Sequence, residues 1–234
     1  MKVAVFVTIW ALGISPADLK QYHLGEPLAY LKDAPGVEVV EYYSPYPGDL
    51  PKMDDVPSPV SIVQIDLASR EQAQALVGDS DFQKLFVDSP YFSASAEKVR
   101  VEIVQPVQYD IPGHASPPPR TAALSFVVRY YGPVENQAEF VDFYTKNHPP
   151  LLAKFPDIRN VLCYLPMDYE QAGNIGDDSL VIGNEVVFDN LDALNAALAS
   201  DAMPALSDDS KNFAKYGYST HHAMYREAVY SHGQ

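Results

Sequence analysis

The sequence predicts an α+β protein in which two copies of one β-α-β-β-α-β unit follow each other along the chain. The first observation is an internal repeat, because similar residues recur 120 to 122 positions apart. Three pairs show the spacing: Tyr22 and Tyr144, Pro35 and Pro156, and Phe6-Val7 and Phe126-Val127. The second observation is the first strand of each half, which is apolar on both faces and is therefore expected to be buried on both sides.

The elements of the first half are predicted from residue type and from helix-capping signals. The first strand is rich in β-branched and aromatic residues. Ser15 followed by Pro16 is typical of a helix start, and Ser69 with Gln72 has the pattern of a capping box. In chain order we predict strand Val3–Trp10, a helix from Ser15 to Glu26 with further turns over Pro27–Lys32, strands Val37–Ser44 and Ser61–Leu67, a helix from Ser69 to about Val77, a short turn over Phe82–Phe86 and strand Lys98–Val107.

The second half repeats this order. Asn136 with Glu139 again forms a capping pair at the start of a helix. We expect this helix to kink or end at His148, because Pro149 removes a donor and leaves the carbonyl of Thr145 without its usual partner. The predicted elements are strand Ala123–Tyr130, the helix from Asn136, strands Ile158–Leu165 and Leu180–Phe188, helix Leu191–Ala199 and strand Ser219–Tyr230.

The predicted order is that of the ferredoxin-like unit, and it sets the expected domain organisation. Residues 1–109 form the first repeat, 110–120 a proline-rich linker and 121–234 the second repeat. The two helices of such a unit cover one face of its sheet, so we expect the two sheets to pack on each other as a barrel within one chain. Phe6, Thr8 and Trp10 would face inward with Phe126, Val128 and Tyr130. The alternative is that each half pairs with another chain.

Composition narrows the classes of partner. The chain has 31 acidic and 16 basic residues and a net charge of −15, which argues against nucleic acid and anionic membranes as partners. Cys163 is the single cysteine, so an intrachain disulfide is excluded. The apolar N-terminus alternates like a strand and has a counterpart in mid-chain, so we interpret it as a strand and expect a cytoplasmic protein. Gly-rich phosphate loops, Gly-x-Ser-x-Gly and Cys-x-x-Cys patterns do not occur, and we predict neither a cofactor nor a metal.

One stretch of the second half resembles the EthD family of the dimeric α/β-barrel superfamily. The resemblance is carried by Phe143-Tyr144, His148-Pro149-Pro150-Leu151 and Phe155-Pro156-Asp157-Ile158-Arg159. It implies cofactor-free isomerases, lyases, decarboxylases and dehydratases, some oxygenases, and haem-binding branches, which act mainly on small aromatic or polyketide-like molecules. The first half departs from the pattern, since Glu26 stands where the second half has His148.

Three residues at these helix ends are candidates for proton transfer. His148 is a candidate general acid or base because the ordinary pKa of histidine lies near neutral pH; the alternative is that it caps a broken helix. Tyr144, one turn away, is a candidate donor to a developing oxyanion, or else simply a core residue. Glu26 is a candidate base in a partly buried kink, although a solvated carboxylate at a helix end is the more common case.

Other candidates lie on the predicted strands. His221 and His222 are adjacent, so one of them should face the cavity as a catalytic residue, and either can be that one. Arg129 is the polar exception in its strand and could hold a carboxylate, or pair with an acidic loop. The predicted substrate-contacting residues are Trp10, Phe6, Tyr22, Phe126, Tyr130 and Arg129.

These features favour a cofactor-independent lyase or isomerase, of the dehydratase or decarboxylase type, acting on a small apolar or aromatic carbonyl compound. His148 would move the proton, and an aromatic cavity would exclude water. The first alternative is a non-enzymatic module that binds such a molecule or stabilises an assembly. The second is a haem-binding or oxygenase branch of the superfamily. A small molecule is the expected partner, and a homodimer of the two-repeat chain is a further possibility.

Overall fold

The computed structural model describes residues 2–11, 13–46, 57–92, 96–114, 123–167 and 179–233. The strands are β1 (Val3–Ala11), β2 (Val37–Pro45), β3 (Ser61–Leu67), β4 (Ala96–Tyr109), β5 (Leu124–Tyr131), β6 (Asn160–Pro166), β7 (Leu180–Phe188) and β8 (Tyr218–Ser231). The helices are α1 (Pro16–His23), α2 (Glu26–Asp33), α3 (Arg70–Gly78), α4 (Ser80–Phe82) with a π-helical turn at Gln83–Val87, α5 (Gln137–Leu152), α6 (Leu191–Leu198) and α7 (Ala202–Ser210). The predicted N-caps Ser15, Ser69 and Asn136 each accept a hydrogen bond from the first turn of their helix.

The eight strands form one closed antiparallel barrel in the order β1-β3-β2-β8-β5-β7-β6-β4. Two seams join the first half of the chain to the second, β2 with β8 and β4 with β6. The barrel therefore closes within one chain, and the prediction of an α+β barrel is confirmed. No helix in the described part of the chain is both long and apolar enough to cross a bilayer.

Apolar side chains form a core inside the barrel and two cores between its outer surface and the helices. Ala4 and Phe6 of β1 point into the barrel with Val127 and Tyr131 of β5. Alternate residues of β1 pack outward against the helices of the first half. The outward residues of β5 are Leu124, Phe126, Val128 and Tyr130, which pack under α5, α6 and α7.

The prediction that Phe126, Val128 and Tyr130 face into the barrel is therefore wrong. The β1–β3 register places Phe6 opposite Gln64, and the β5–β7 register places Val127 opposite Glu185, so residues 121 positions apart are paired alike in these two strand pairs. The sequence comparison matched Phe6 to Phe126, a spacing of 120 residues, which is one residue too short. Because successive residues of a strand point to opposite faces, an error of one residue exchanges the two faces.

Of the two outcomes expected at His148, a kink or an end of the helix, the end is wrong, since α5 continues through Pro149 and Pro150 to Leu152. Pro149 has no N–H to donate to the carbonyl of Thr145. This carbonyl accepts a hydrogen bond from the hydroxyl of Tyr109 instead, at 3.1 Å. A tertiary donor thus replaces the missing helical one. In the first half the chain does break, because α1 ends at His23 and α2 begins at Glu26.

Candidate active site

A cavity of about 260 Å³ lies between the outer face of the second-half sheet and helices α5, α6 and α7. Its wall is formed by strands β5, β7 and β8 on one side and by the helices on the other, and most of the lining is apolar or aromatic. The lining residues are Phe126, Val128, Tyr130, Tyr144, His148, Leu152, Phe155, Asn184, Val186, Leu194, Leu198, Met203, Leu206, Ser207, Ser210 and His221. A cavity of this size and character suits a small apolar ligand.

His148 and Asp209 form a buried pair at the edge of this cavity. Nδ1 of His148, on α5, lies 2.8 Å from Oδ2 of Asp209, on α7, and the two side chains are 11% and 10% exposed. An ionised carboxylate can only accept, so Nδ1 carries the proton and the other ring nitrogen, Nε2, holds a lone pair. Nε2 has no hydrogen bond to a described residue and is not closed off from solvent. The imidazole therefore offers a basic nitrogen to the cavity.

Burial lowers the pKa of His148, and Asp209 opposes this by raising it. The net direction is downward from the ordinary value of 6.5, so the imidazole is neutral at pH 7. A neutral imidazole that is oriented by a carboxylate is the form a general base requires. The pair is thus set up to take a proton from a ligand in the cavity.

Aromatic rings surround the imidazole. The centroid of Tyr144 lies 4.8 Å from that of His148, and the centroid of Phe213 lies 5.3 Å away. Tyr130, on β5, meets Tyr144 edge to face at 5.4 Å. These rings hold His148 in place and keep water from most of its surface.

Tyr144 is completely buried, and its hydroxyl makes no well-aligned hydrogen bond to a described residue. Burial raises the pKa of Tyr144 well above its ordinary value of 10, so the phenol stays protonated. The hydroxyl of Tyr130 lies close to that of Tyr144 and adds to the rise of its pKa. An unpaired O–H inside a protein is costly, and a polar atom of a ligand would satisfy it. The cavity wall therefore carries a basic nitrogen on His148 and a spare donor on Tyr144, one helical turn apart.

The two adjacent histidines of β8 lie on opposite faces of the sheet. His221 lines the cavity. His222 pairs with Val127, whose side chain faces the barrel interior, and its Nδ1 lies 3.2 Å from the hydroxyl of Ser58. Of the two, His221 is thus the histidine that faces the cavity with His148.

The remaining candidates lie apart from the cavity. Trp10 donates from Nε1 to the carbonyl of Pro57 at 3.0 Å. Tyr22 hydrogen-bonds to Leu85 and Ser89. Glu26 is exposed in the first turn of α2, as expected if it is a solvated carboxylate at a helix end and not a buried base. Phe6 and Arg129 contact each other inside the barrel. The structure therefore brings together His148, Tyr144, His221, Phe126 and Tyr130 and leaves the others elsewhere.

Sequence reasoning missed Asp209, the residue that orients His148. Asp209 lies 61 positions further along the chain, on a helix that the sequence analysis did not predict. This helix contains Pro204 and ends in four polar residues in succession, Ser207-Asp208-Asp209-Ser210, so its apolar periodicity is weak. The available signal was the pair of acidic residues after Leu206, which is not specific.

A haem group does not fit this cavity. A volume of about 260 Å³ is below the roughly 300–1,000 Å³ of drug-sized ligand pockets, and a porphyrin is larger than most such ligands. The lining also contains no Lys or Arg among the described residues to receive propionates. No group of three or more His, Cys, Asp or Glu side chains with metal-binding geometry occurs in the described ranges.

Residues 133–216 match the EthD domain, which covers the helix of His148 and extends beyond Asp209. No curated protein sequence matches the chain significantly. Among solved structures, an anthrone oxidase-like protein is similar over 97% of this chain and 93% of its own, with a TM-score of 0.65 and 13% identity. A monooxygenase-like protein from Lactobacillus acidophilus NCFM is similar over 96% and 93%, with a TM-score of 0.54 and 10% identity. A mutant chlorite dismutase from Candidatus Nitrospira defluvii is similar over 95% and 90%, with a TM-score of 0.50 and 11% identity. At these identities the likeness shows a shared fold.

Proposed function

We propose that the protein is a small-molecule-processing enzyme in which His148 removes a proton from an apolar or aromatic carbonyl compound. The match of residues 133–216 to the EthD domain supports this proposal. One observation carries the proposal: the His148–Asp209 pair at 2.8 Å presents a basic nitrogen to an apolar cavity. A module that only binds a ligand would need the cavity but no oriented titratable group. The pair therefore favours an enzyme over the non-enzymatic alternative.

In the proposed reaction the substrate places an acidic C–H bond against Nε2 of His148. Asp209 accepts from Nδ1 and stabilises the imidazolium that forms when Nε2 takes the proton. Tyr144, whose pKa burial raises, stays protonated and donates to the carbonyl oxygen as it becomes an enolate oxygen. The apolar wall excludes water, which strengthens both interactions.

The fate of the enolate decides the reaction class. Return of the proton to a different carbon would isomerise the substrate. Expulsion of hydroxide, taken up as water, would make the enzyme a dehydratase, and this cofactor-independent lyase or isomerase chemistry is our leading proposal. It requires only the proton transfers that His148 can perform and the hydrogen bond that Tyr144 can donate.

A second candidate is a cofactor-free oxidase or oxygenase, favoured by the likeness to an anthrone oxidase-like protein. The same proton removal would turn an aromatic ketone into an electron-rich enolate that can reduce dioxygen. In an oxidase the substrate methylene group and O2 would become a carbonyl group and water. Both candidates share the first step and differ in whether O2 is consumed.

We further interpret the barrel as two ferredoxin-like repeats of which the second carries the site. The strand order β4-β1-β3-β2 in the first half corresponds to β8-β5-β7-β6 in the second. In the first half the position of His148 is taken by Glu26, which is exposed, and the ring of Tyr22 stacks on Tyr91 at 4.4 Å. The first repeat would then serve mainly to complete the barrel.

The shared first step can be tested without knowing the natural substrate. Small aromatic ketones such as tetralone, indanone and anthrone are incubated with the protein in D2O, and loss of the signal of their acidic CH2 protons is followed by NMR. We expect catalysed exchange with at least one of them, and His148→Gln should reduce it by about 10²–10⁴-fold, the usual worth of general acid–base catalysis. His232→Gln is the matched control, because His232 is exposed and does not line the cavity.

Two results would contradict the proposal. One is catalysed exchange that His148→Gln leaves unchanged while its melting temperature falls, since His148 would then be a structural residue. The other is the absence of catalysed exchange across the whole panel. Oxygen uptake measured in parallel with anthrone separates the two candidates, because only an oxidase or oxygenase consumes O2.

A further inference from the structure

Arg129 lies on the barrel side of β5, opposite the cavity. Its neighbours Val128 and Tyr130 line the cavity, whereas Arg129 points inward and is only 6% exposed. Its guanidinium lies beside two rings that meet edge to face, with Cζ 4.8 Å from the centroid of Phe6 and 5.1 Å from that of Tyr164. The rings attract the cation but supply no hydrogen bond.

The guanidinium of Arg129 is only partly satisfied by the protein. Nη1 donates to the carbonyls of Val128 at 3.1 Å and Asn184 at 3.3 Å. Nε and Nη2 have no hydrogen bond to any described residue, and neither atom is sealed from solvent. No ion pair joins Arg129 to a carboxylate in the described part of the chain. A buried charge without a counter-charge is costly, so the site is incomplete as it stands.

Arg226, which also points into the barrel, has carboxylates close to its guanidinium. Nη1 of Arg226 lies 3.6 Å from Oε1 of Glu41 and 3.9 Å from Oε1 of Glu185. Glu185 is itself fully buried and accepts from Ser125 and Tyr164, each at 2.6 Å. The barrel interior thus supplies carboxylates to Arg226 and none to Arg129.

Gly183 of β7 keeps the space that Arg129 occupies. The two residues face each other in the β5–β7 register. A Cβ at Gly183 would lie 3.0 Å from Nη1 and 3.1 Å from both Cδ and Cζ of Arg129. A side chain at this position would therefore require the guanidinium to shift by a few tenths of an ångström.

We propose that Arg129 is a binding site for a small carboxylate anion inside the barrel, separate from the cavity of His148. Nε and Nη2 lie on one edge of the guanidinium and point the same way, which is the side-on geometry that binds both oxygens of a carboxylate. Arg159 on the surface uses the same two nitrogens to bind a carboxylate, and both donate to Oδ2 of Asp189. The carboxylate would supply both missing hydrogen bonds and the missing negative charge.

The test compares acetate with chloride at equal ionic strength and pH. Acetate that binds the native protein raises its melting temperature, and at tenfold excess over the dissociation constant the rise is about 3–6 °C for a chain of this length. Arg129→Met should abolish this rise. Arg159→Met is the matched control, because it removes a surface arginine that already has a carboxylate partner and should keep the rise. Gly183→Ala keeps the charge but displaces the guanidinium, and should weaken the rise.

The Nε–H resonance of Arg129, followed by NMR during an acetate titration of the unmutated protein, gives a readout that does not depend on the variants. A shift that saturates with acetate supports the site. A resonance that does not move, or an acetate effect of equal size in the unmutated protein, Arg129→Met and Arg159→Met, overturns the proposal. Neither readout depends on His148, so the failure of this site and the failure of the proposed enzymatic function are distinguishable.

Discussion

His23 at the end of α1 allows a quantitative prediction of how stability depends on pH. The ring is 4% exposed, and neither nitrogen makes a well-aligned hydrogen bond to a described residue. It stacks on Phe86 with centroids 5.8 Å apart and planes 10° apart, and it also contacts Tyr42 and Phe92. Burial lowers the pKa of His23 to about 3, because a charged imidazole would lose its hydration. The backbone of Leu19 acts to raise the pKa of the ring but is outweighed by burial.

The sign and size of the effect follow from proton linkage. The ordinary pKa of histidine is 6.5, so between pH 6.5 and about pH 3 the unfolded chain binds a proton at this position and the native protein does not. The free energy of unfolding therefore falls as pH falls through this window, by about 1.4 kcal/mol per pH unit. Acidification from about pH 7.5 to about pH 5 covers roughly 1.5 units of the window and should cost about 2 kcal/mol. His148, whose pKa is also lowered, contributes in the same direction.

The measurement is urea unfolding followed by circular dichroism at the two pH values, with His23→Phe beside the unmutated protein. Phenylalanine has a similar shape, keeps the ring contacts and cannot bind a proton. We expect the variant to lose about 2 kcal/mol less than the unmutated protein on acidification, and to be at least as stable at about pH 7.5. Comparing the two differences cancels the contributions of groups that the substitution does not touch. His232→Gln, at an exposed position, controls for removing a histidine as such.

One result would refute the reasoning: an unchanged pH dependence in His23→Phe with an unchanged dependence on urea concentration. The unmutated protein would then tolerate a protonated His23. This would mean that the aromatic surroundings open to water at little cost.

Two further predictions concern α5. Asp209 raises the pKa of His148, so Asp209→Asn should lower this pKa further. The acid limb of the pH–rate profile should then move to lower pH, and the plateau rate should fall. A purely structural Asp209 would leave the position of the limb unchanged. Tyr109→Phe removes the donor to the carbonyl of Thr145 and should cost about 1 kcal/mol in urea unfolding, and a variant as stable as the unmutated protein would show that water replaces the hydroxyl.

Features that depend on neighbours along the chain were predictable. Ser15, Ser69 and Asn136 cap their helices as predicted, because a cap is decided within about four residues. Strand segments and the barrel were predictable for a similar reason, since strands that are apolar on both faces need cover on both sides. His148 and Tyr144 were selected because they lie one turn apart on one helix.

Features that depend on distant parts of the chain were not predictable. The spacing between matching residues of the two halves was uncertain by one residue. In a strand, a shift of one residue decides which side chains face the barrel interior and which face the helices. The burial of His23 was not predictable, since Tyr42, Phe86 and Phe92, which surround its ring, come from other segments of the chain. Pro149 was expected to kink or end α5, but the helix continues, and Tyr109 on β4 supplies the donor that Pro149 lacks.

The sequence by itself determined the α+β barrel and the helix that carries Tyr144 and His148, because residue type, capping and periodicity act locally. Only the tertiary structure decided what His148 can do. It brings Asp209 from a position 61 residues away to within 2.8 Å, buries both, and leaves the second ring nitrogen toward an apolar cavity. The basicity of an imidazole depends on its burial and on the charge beside it, and both are set by which segments pack together in space.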